Sequence, residues 1–327
     1  MVMAETGQRL DATQPVGNGL AGWRRIADFI ALMKPRPMSV VTFTALAGLL
    51  AAPVTPPLSL AAASLAMLCI ALGGGGAAVL NMWFERDLDR QMARTLARPL
   101  PAGRVAPGEA LLFALILIVG SVSAMAVWVN ATAAAMLALT IFFYGVVYTM
   151  WLKRVTALNV VIGGGLASIL TPLTGWVAAT SSLSLDAIVL FAFMVPWTPP
   201  HVWSQALVRG AEYARAGVPM MPVVAGSRAT RWMILGFTIL HAGLALLPSA
   251  LGLAGPWWLA TATVGGLVLI ALALQLARVA DPVDERRLAW RYYRINSLYV
   301  VALFLVLILE GASGVARVSP ALLGLSG

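Results

Sequence analysis

The sequence predicts an all-α fold, a polytopic membrane protein whose nine transmembrane helices form one domain over residues 28–312. Three observations carry that expectation. The 327 residues are 60% hydrophobic and only 11% charged, with a mean hydropathy of +0.88. A soluble domain carries about 25% charged residues, so this much apolar surface has no place in a single water-exposed globule. Apolar runs long enough to cross a bilayer as helices recur nine times, without the period-two alternation of transmembrane barrel strands. The basic residues also alternate in sidedness: with the N-terminus in the cytoplasm, only Arg317 of the 22 falls outside, as the positive-inside rule requires.

Taken in order, residues 1–27 are polar, include Glu5 and Asp11, lack an apolar signal core, and read as a disordered cytoplasmic tail. The first span, near 35–53, follows Arg24, Arg25, Lys34 and Arg36 on the inner side. The second, near 59–83, returns to a long inner loop, 84–108, which holds Arg86, Arg90, Arg94, Arg98 and Arg104. The third and fourth, near 109–128 and 132–151, bring the chain back inside at Lys153 and Arg154. The fifth and sixth, near 158–179 and 186–207, lead to a second long inner loop, 208–230. The seventh and eighth, near 232–250 and 257–277, flank the short outer turn at 252–256. The ninth, near 295–312, follows five inner arginines and ends in a short periplasmic tail, 313–327. The whole pattern suits a bacterial inner membrane.

The remaining composition narrows the function. Topology accounts for much of the net charge of +9, and no aromatic-interleaved basic domain is present, so the partner is the lipid bilayer and not a nucleic acid. One cysteine, Cys69, excludes a disulfide framework and a Cys/His metal cluster. The glycine runs at 73–76 and 163–165 lie inside spans without a following Gly-Lys-Ser/Thr, and so read as faces for close helix packing. A transporter is disfavoured because nearly every charge maps to a helix end or loop.

The chemistry concentrates at the end of the second span. Asn81, Glu85 and Asp89 stand four residues apart, so on a continuous helix each turns about 40° past the last and all three share a face. Hard oxygen donors beside Arg94 and Arg98 suit Mg²⁺ held against a diphosphate. Asp87 points about 200° away from Glu85 and stays out of that set. The second long loop follows Trp197-Thr-Pro-Pro-His201-Val-Trp203. Its two prolines break a helix and free backbone carbonyls, as happens where a helix lines a cavity. His201 beside two tryptophans suits a planar ligand or haem iron, whereas His241 sits in an ordinary apolar span and reads as structural. Glu212 is the only carboxylate of its loop, and reads equally as a second metal ligand or as a partner of Arg209 or Arg215.

These stretches resemble the UbiA superfamily of intramembrane prenyltransferases, and within it the haem-farnesylating branch. The matching residues are Leu32-Met-Lys34-Pro-Arg36, Asn81 through Asp89, Ala93-Arg94-Thr, Arg98-Pro-Leu-Pro-Ala-Gly-Arg104, Tyr148-Thr-Met-Trp-Leu-Lys153-Arg154, Val161-Ile-Gly-Gly, Trp197 through His201, and Ala216-Gly-Val-Pro-Met. The acidic motif marks the superfamily; Trp-Thr-Pro-Pro-His points to the haem branch. The resemblance implies nine helices around a central cavity. It also implies transfer of a farnesyl group from farnesyl diphosphate to a vinyl group of haem B, with water addition, giving haem O. Asn81, Glu85 and Asp89, with Glu212, are then the Mg²⁺ ligands, and Arg94, Arg98 and Lys153 neutralise the diphosphate. Lys34, Arg36, Tyr148, Arg154, Trp197, His201, Trp203 and Tyr213 are the implied substrate contacts. Haem A synthase or terminal-oxidase assembly factors are the implied protein partners. Glu85 stands where the superfamily usually has aspartate, and Ala211-Glu212-Tyr213 where it commonly reads Asp-Asp-Tyr. Two other readings share these residues: a related prenyltransferase with a different aromatic or isoprenoid acceptor, and a haem-binding assembly protein.

Overall fold

The computed structural model describes residues 18–54 and 58–313. The chain forms α1 (Asn18–Leu32), α2 (Pro35–Ala51), α3 (Leu60–Asp89), α4 (Pro107–Trp128), α5 (Ala131–Val155), α6 (Val160–Thr180), α7 (Leu185–Arg215), α8 (Gly226–Ala250), α9 (Pro256–Arg278) and α10 (Pro282–Ser313). Eight of these are long and apolar enough to cross a membrane. The 17-residue α2 packs among them as the ninth span. The expected nine-helix bundle is thus present among the described residues. Asn18–Leu32 is helical, which corrects the expectation of a disordered tail as far as residue 27. Residues 1–17 and 314–327, the rest of both expected tails, lie outside the described residues.

Local sequence sets the helix ends. Proline opens α2, α4, α9 and α10, where its missing N–H costs no intrahelical bond. Ser59, Asn130 and Ser184 cap α3, α5 and α7, accepting from Ala62 N (3.2 Å), Ala133 N (2.6 Å) and Ala187 N (3.2 Å). Within α5 the turns over Phe143–Leu152 widen to a π-helix, a feature frequent at functional sites.

The Pro-Pro expectation needs correction. Helix continues through Pro199 and Pro200, from Met194 to Arg215. The interruptions fall instead at the turn around Ala192 and Phe193 and at the non-helical Arg209. Neighbouring groups border this stretch closely. Pro199 cannot donate to the carbonyl of Val195, and that carbonyl faces α6 where a Cβ on Gly165 would come within 3.0 Å. Ser168 Oγ, also from α6, donates to the carbonyl of Met194 (2.9 Å). These contacts hold the segment against α6, and the kink in the helix falls further on, at Arg209.

An apolar cavity of about 290 Å³ lies between α2, α3, α5, α6 and α7, with Val300 of α10 closing one side.

Candidate active site

Helix α3 runs unbroken to Asp89, so the Asn81–Glu85–Asp89 stripe exists as expected. All three side chains are buried. Charge withdrawn from water needs a partner, and each of these residues has its own cation. Lys34 Nζ donates to Asn81 Oδ1 (2.6 Å), Lys153 Nζ to Glu85 Oε1, and Arg98 to Asp89 Oδ2 (2.6 Å). Three elements supply them: the α1–α2 junction, the C-terminal end of α5, and the loop after α3.

Lys34 reaches the stripe through a left-handed backbone (φ 53°, ψ 60°), an uncommon and strained state for a residue with a side chain. Burial, and then the neighbouring Arg98, lower its pKa to about 8, against the opposing pull of Glu85 and Asp89. Asn81 is held from its other end: its amide nitrogen donates to Thr149 Oγ1 (3.2 Å). Thr149 in turn donates to the carbonyl of Tyr144 (2.8 Å), five residues back along the π-helical turns. The loop after α3 meets the end of α7 where Arg94 Nε lies 3.7 Å from Glu212 Oε2. That oxygen is buried and has no hydrogen-bond partner among the described residues.

The stripe continues past the acidic residues. Ile70, Gly74 and Ala77 precede Asn81 at helical spacing and line the apolar cavity. One face of α3 therefore passes from cavity wall to oxygen donors. Tyr148 lines the same cavity, stacked on Tyr144 with ring centroids 5.9 Å apart. Gly163 allows this, because a Cβ there would lie 3.2 Å from Tyr148 Cα. Trp197 also lines the cavity and donates to the carbonyl of Asn296 (3.2 Å). His201 is its neighbour, ring centroids 4.5 Å apart. Tyr213 is half-buried against the core of the bundle, beside Glu212.

Three expected substrate contacts fall elsewhere. Trp203 is fully buried against Phe237, edge to face at 5.4 Å. It follows Trp197 by six residues, about 240° round the helix, so the two cannot face one cavity. Arg154 is exposed with its guanidinium 4.4 Å over the Phe84 ring, about 100° round the helix from Lys153. Arg36 is exposed, on the helix turn beyond Lys34, with no ion pair among the described residues.

The donor set fits a magnesium ion. Mg²⁺ is commonly held by one or two carboxylates together with substrate phosphates, and not by an all-protein cage. Glu85, Asp89 and the Asn81 carbonyl are hard oxygens on one face. Among the described residues no group of three His, Cys, Asp or Glu side chains is placed to hold a metal ion, so an ion at the stripe would draw its remaining ligands from its substrate.

Residues 40–298 match the UbiA prenyltransferase family. The chain belongs to that family. Among curated relatives, a protoheme IX farnesyltransferase of Methylobacterium nodulans is 46% identical over 312 residues, 95% of either chain. One from Afipia carboxidovorans is 49% identical over 288 residues, covering 88% of this chain and 91% of the relative. A UbiA homolog from Archaeoglobus fulgidus, solved bound to GPP and Mg²⁺, superposes with a TM-score of 0.61 at 18% identity, covering 86% of this chain and 99% of that one. A digeranylgeranylglyceryl phosphate synthase structure reaches 0.73 at 16% identity, over 89% and 99%. At such low identities these two likenesses speak for the UbiA fold alone.

Several residues of this UbiA site escaped sequence reading. Thr149 carried a signal: it is a hydroxyl in an apolar span, four residues before Lys153 and so on the same face. Thr95 carried none; it is fully buried and donates to the carbonyl of Asp89 (2.6 Å), pinning the arginine loop to the end of α3.

Proposed function

We propose that this chain is a protohaem IX farnesyltransferase. It transfers the farnesyl group of farnesyl diphosphate to a vinyl group of haem B, with addition of water, to give haem O. The observation that carries the reading is the single face of α3 that joins an apolar cavity to a buried row of oxygen donors with their cations. An amphipathic prenyl diphosphate has this shape: a tail for the cavity and an anion for the cations. The names of the relatives support the acceptor.

Asn81, Glu85 and Asp89, with Glu212 from the end of α7, would hold Mg²⁺, which when bound shields the diphosphate and stabilises it as a leaving group. Lys34, Lys153, Arg94 and Arg98 turn from their carboxylate and amide partners toward the diphosphate oxygens. The C–O bond breaks with its electron pair leaving on the diphosphate. The apolar walls, Tyr144 and Tyr148 among them, keep water from the allylic cation. The vinyl π electrons of haem form the new C–C bond, and water captures the resulting cation and loses a proton. His201 ligates or orients the haem, and Trp197 stands between it and the prenyl cavity. The protein acts in the bacterial inner membrane, with its N-terminus in the cytoplasm and its C-terminus in the periplasm.

The test is mass spectrometry of haem extracted from membranes that lack haem O and express this chain. A product heavier by one hydroxyethylfarnesyl unit, lost in Glu85→Gln and Asp89→Asn, is the expected result. Unmodified haem beside a prenylated quinone precursor would transfer the reading to a different acceptor.

A further inference from the structure

His201 lies between two rings, Trp197 on its own helix and Tyr293 on α10, with centroids 4.5 and 4.7 Å away. Its Nδ1 faces Ser297 Oγ at 3.4 Å. Ser297 has one hydroxyl hydrogen, and it is given to the carbonyl of Tyr293 (2.8 Å). In that arrangement Ser297 is an acceptor toward the imidazole, which matches a ring proton on Nδ1. That leaves Nε2 with a bare lone pair. Nε2 has no hydrogen bond among the described residues, and His201 is only half-buried, without a sealed ring nitrogen. His241 makes the contrast. Its Nδ1 bonds the carbonyl of Phe193 (2.9 Å), but its Nε2 is sealed in the core without a partner, where no ligand can approach.

We infer that Ser297 and Tyr293 are positioning residues for the acceptor: they fix His201 as the Nδ1–H tautomer and present Nε2 as an axial ligand to the iron of a tetrapyrrole. A metal-binding histidine generally donates its other N–H to an oxygen, which sets its tautomer and raises its basicity. Here the backbone of α10 sets the oxygen through Ser297, and Tyr293 limits rotation of the ring. Tyr293 is itself stacked on Trp290, centroids 5.1 Å apart, so α10 supplies a braced wall opposite α7. This inference rests on the proposal that the acceptor is a haem.

The test is a titration of the full-length protein in nanodiscs with ferric haem B, followed by the Soret band and by electron paramagnetic resonance. Wild type should show histidine ligation. Ser297→Ala should bind haem about tenfold to a hundredfold more weakly, with an altered ligand-field signature, and Ser297→Thr should restore both. His201→Ala should lose the histidine signature. Binding of inorganic diphosphate with Mg²⁺, measured in parallel, should be equal in all four proteins and reports that each is folded. If wild type shows histidine ligation and Ser297→Ala matches it in affinity and spectrum, the positioning role is wrong while the haem reading stands. If wild type gives no Soret change while still binding diphosphate, the haem reading itself falls and this inference with it.

Discussion

Gly175 of α6 packs directly on the carbonyl oxygen of Ala45 of α2, so closely that a Cβ at Gly175 would occupy the space of that oxygen. The contact is reciprocated one turn away, where Gly48 of α2 packs on the carbonyl of Pro172 of α6. The residues beside this crossing, Thr44, Thr171 and Thr174, line the cavity. Small residues that let two backbones touch are how membrane helices gain close packing, and here that packing sets the cavity wall.

Gly175→Ala and Gly48→Ala should therefore destabilise strongly, because the obstructing atom is backbone and cannot rotate away. Overpacking typically costs about 1–3 kcal/mol, and these positions belong at or above the top of that range. Thermal unfolding in detergent checks it. Gly120→Ala in α4, where a Cβ meets nothing within 4 Å, should leave stability unchanged or raise it.

Glu310 ties the far end of the bundle. Its carboxylate is buried and accepts from Gly255 N (2.8 Å) and Trp258 N (2.9 Å), capping the start of α9 from across the chain. Glu310→Ala should cost about 1–3 kcal/mol for each stranded donor, read as a lower unfolding temperature. Turnover per folded molecule should persist, because α2 separates the two regions: Lys34 at its start touches Asn81, and Leu50 at its end lies near Gly311.

Thr149→Val keeps the volume of the side chain and removes its hydroxyl. Asn81 would then lose the contact that aims its carbonyl at the cations. The expected loss is about 1 kcal/mol, or roughly fivefold in kcat/KM, measured with farnesyl diphosphate and Mg²⁺. An unchanged kcat/KM would mean that Lys34 alone orients the amide.

Stripping divalent metal should stop turnover without unfolding the protein. Each oxygen donor of the stripe has its own cation in Lys34, Lys153 or Arg98, so the buried charge stays compensated. A chelator should abolish product, Mg²⁺ should restore it, and the unfolding temperature should move little between the two.

Trp203 should behave as core. Trp203→Ala leaves a void against Phe237 and should cost about 3–5 kcal/mol, whereas Trp203→Phe should fold and bind haem as wild type does. Trp197→Ala should instead weaken haem and prenyl binding. Equal effects of Trp203→Phe and Trp197→Ala on haem affinity would overturn this division.

The membrane class, the nine spans and the acidic stripe were determined by the sequence itself. Each rests on a short-range rule: apolar length, charge sidedness and the 3.6-residue turn. The stripe was legible because α3 does not stop before Asp89, so spacing alone gives a shared face. The tertiary structure alone decided which cation serves which oxygen, since Lys34, Lys153 and Arg98 come from elements far apart in the chain. It also decided that Trp197 faces the cavity while Trp203 faces the core, and that helix continues through Pro199 and Pro200. In these cases the outcome depends on a second helix: on α6 packing against the carbonyl of Val195, and on α10 standing opposite His201. Periodicity along one segment carries no information about how near its neighbours come, and that distance is what made the site.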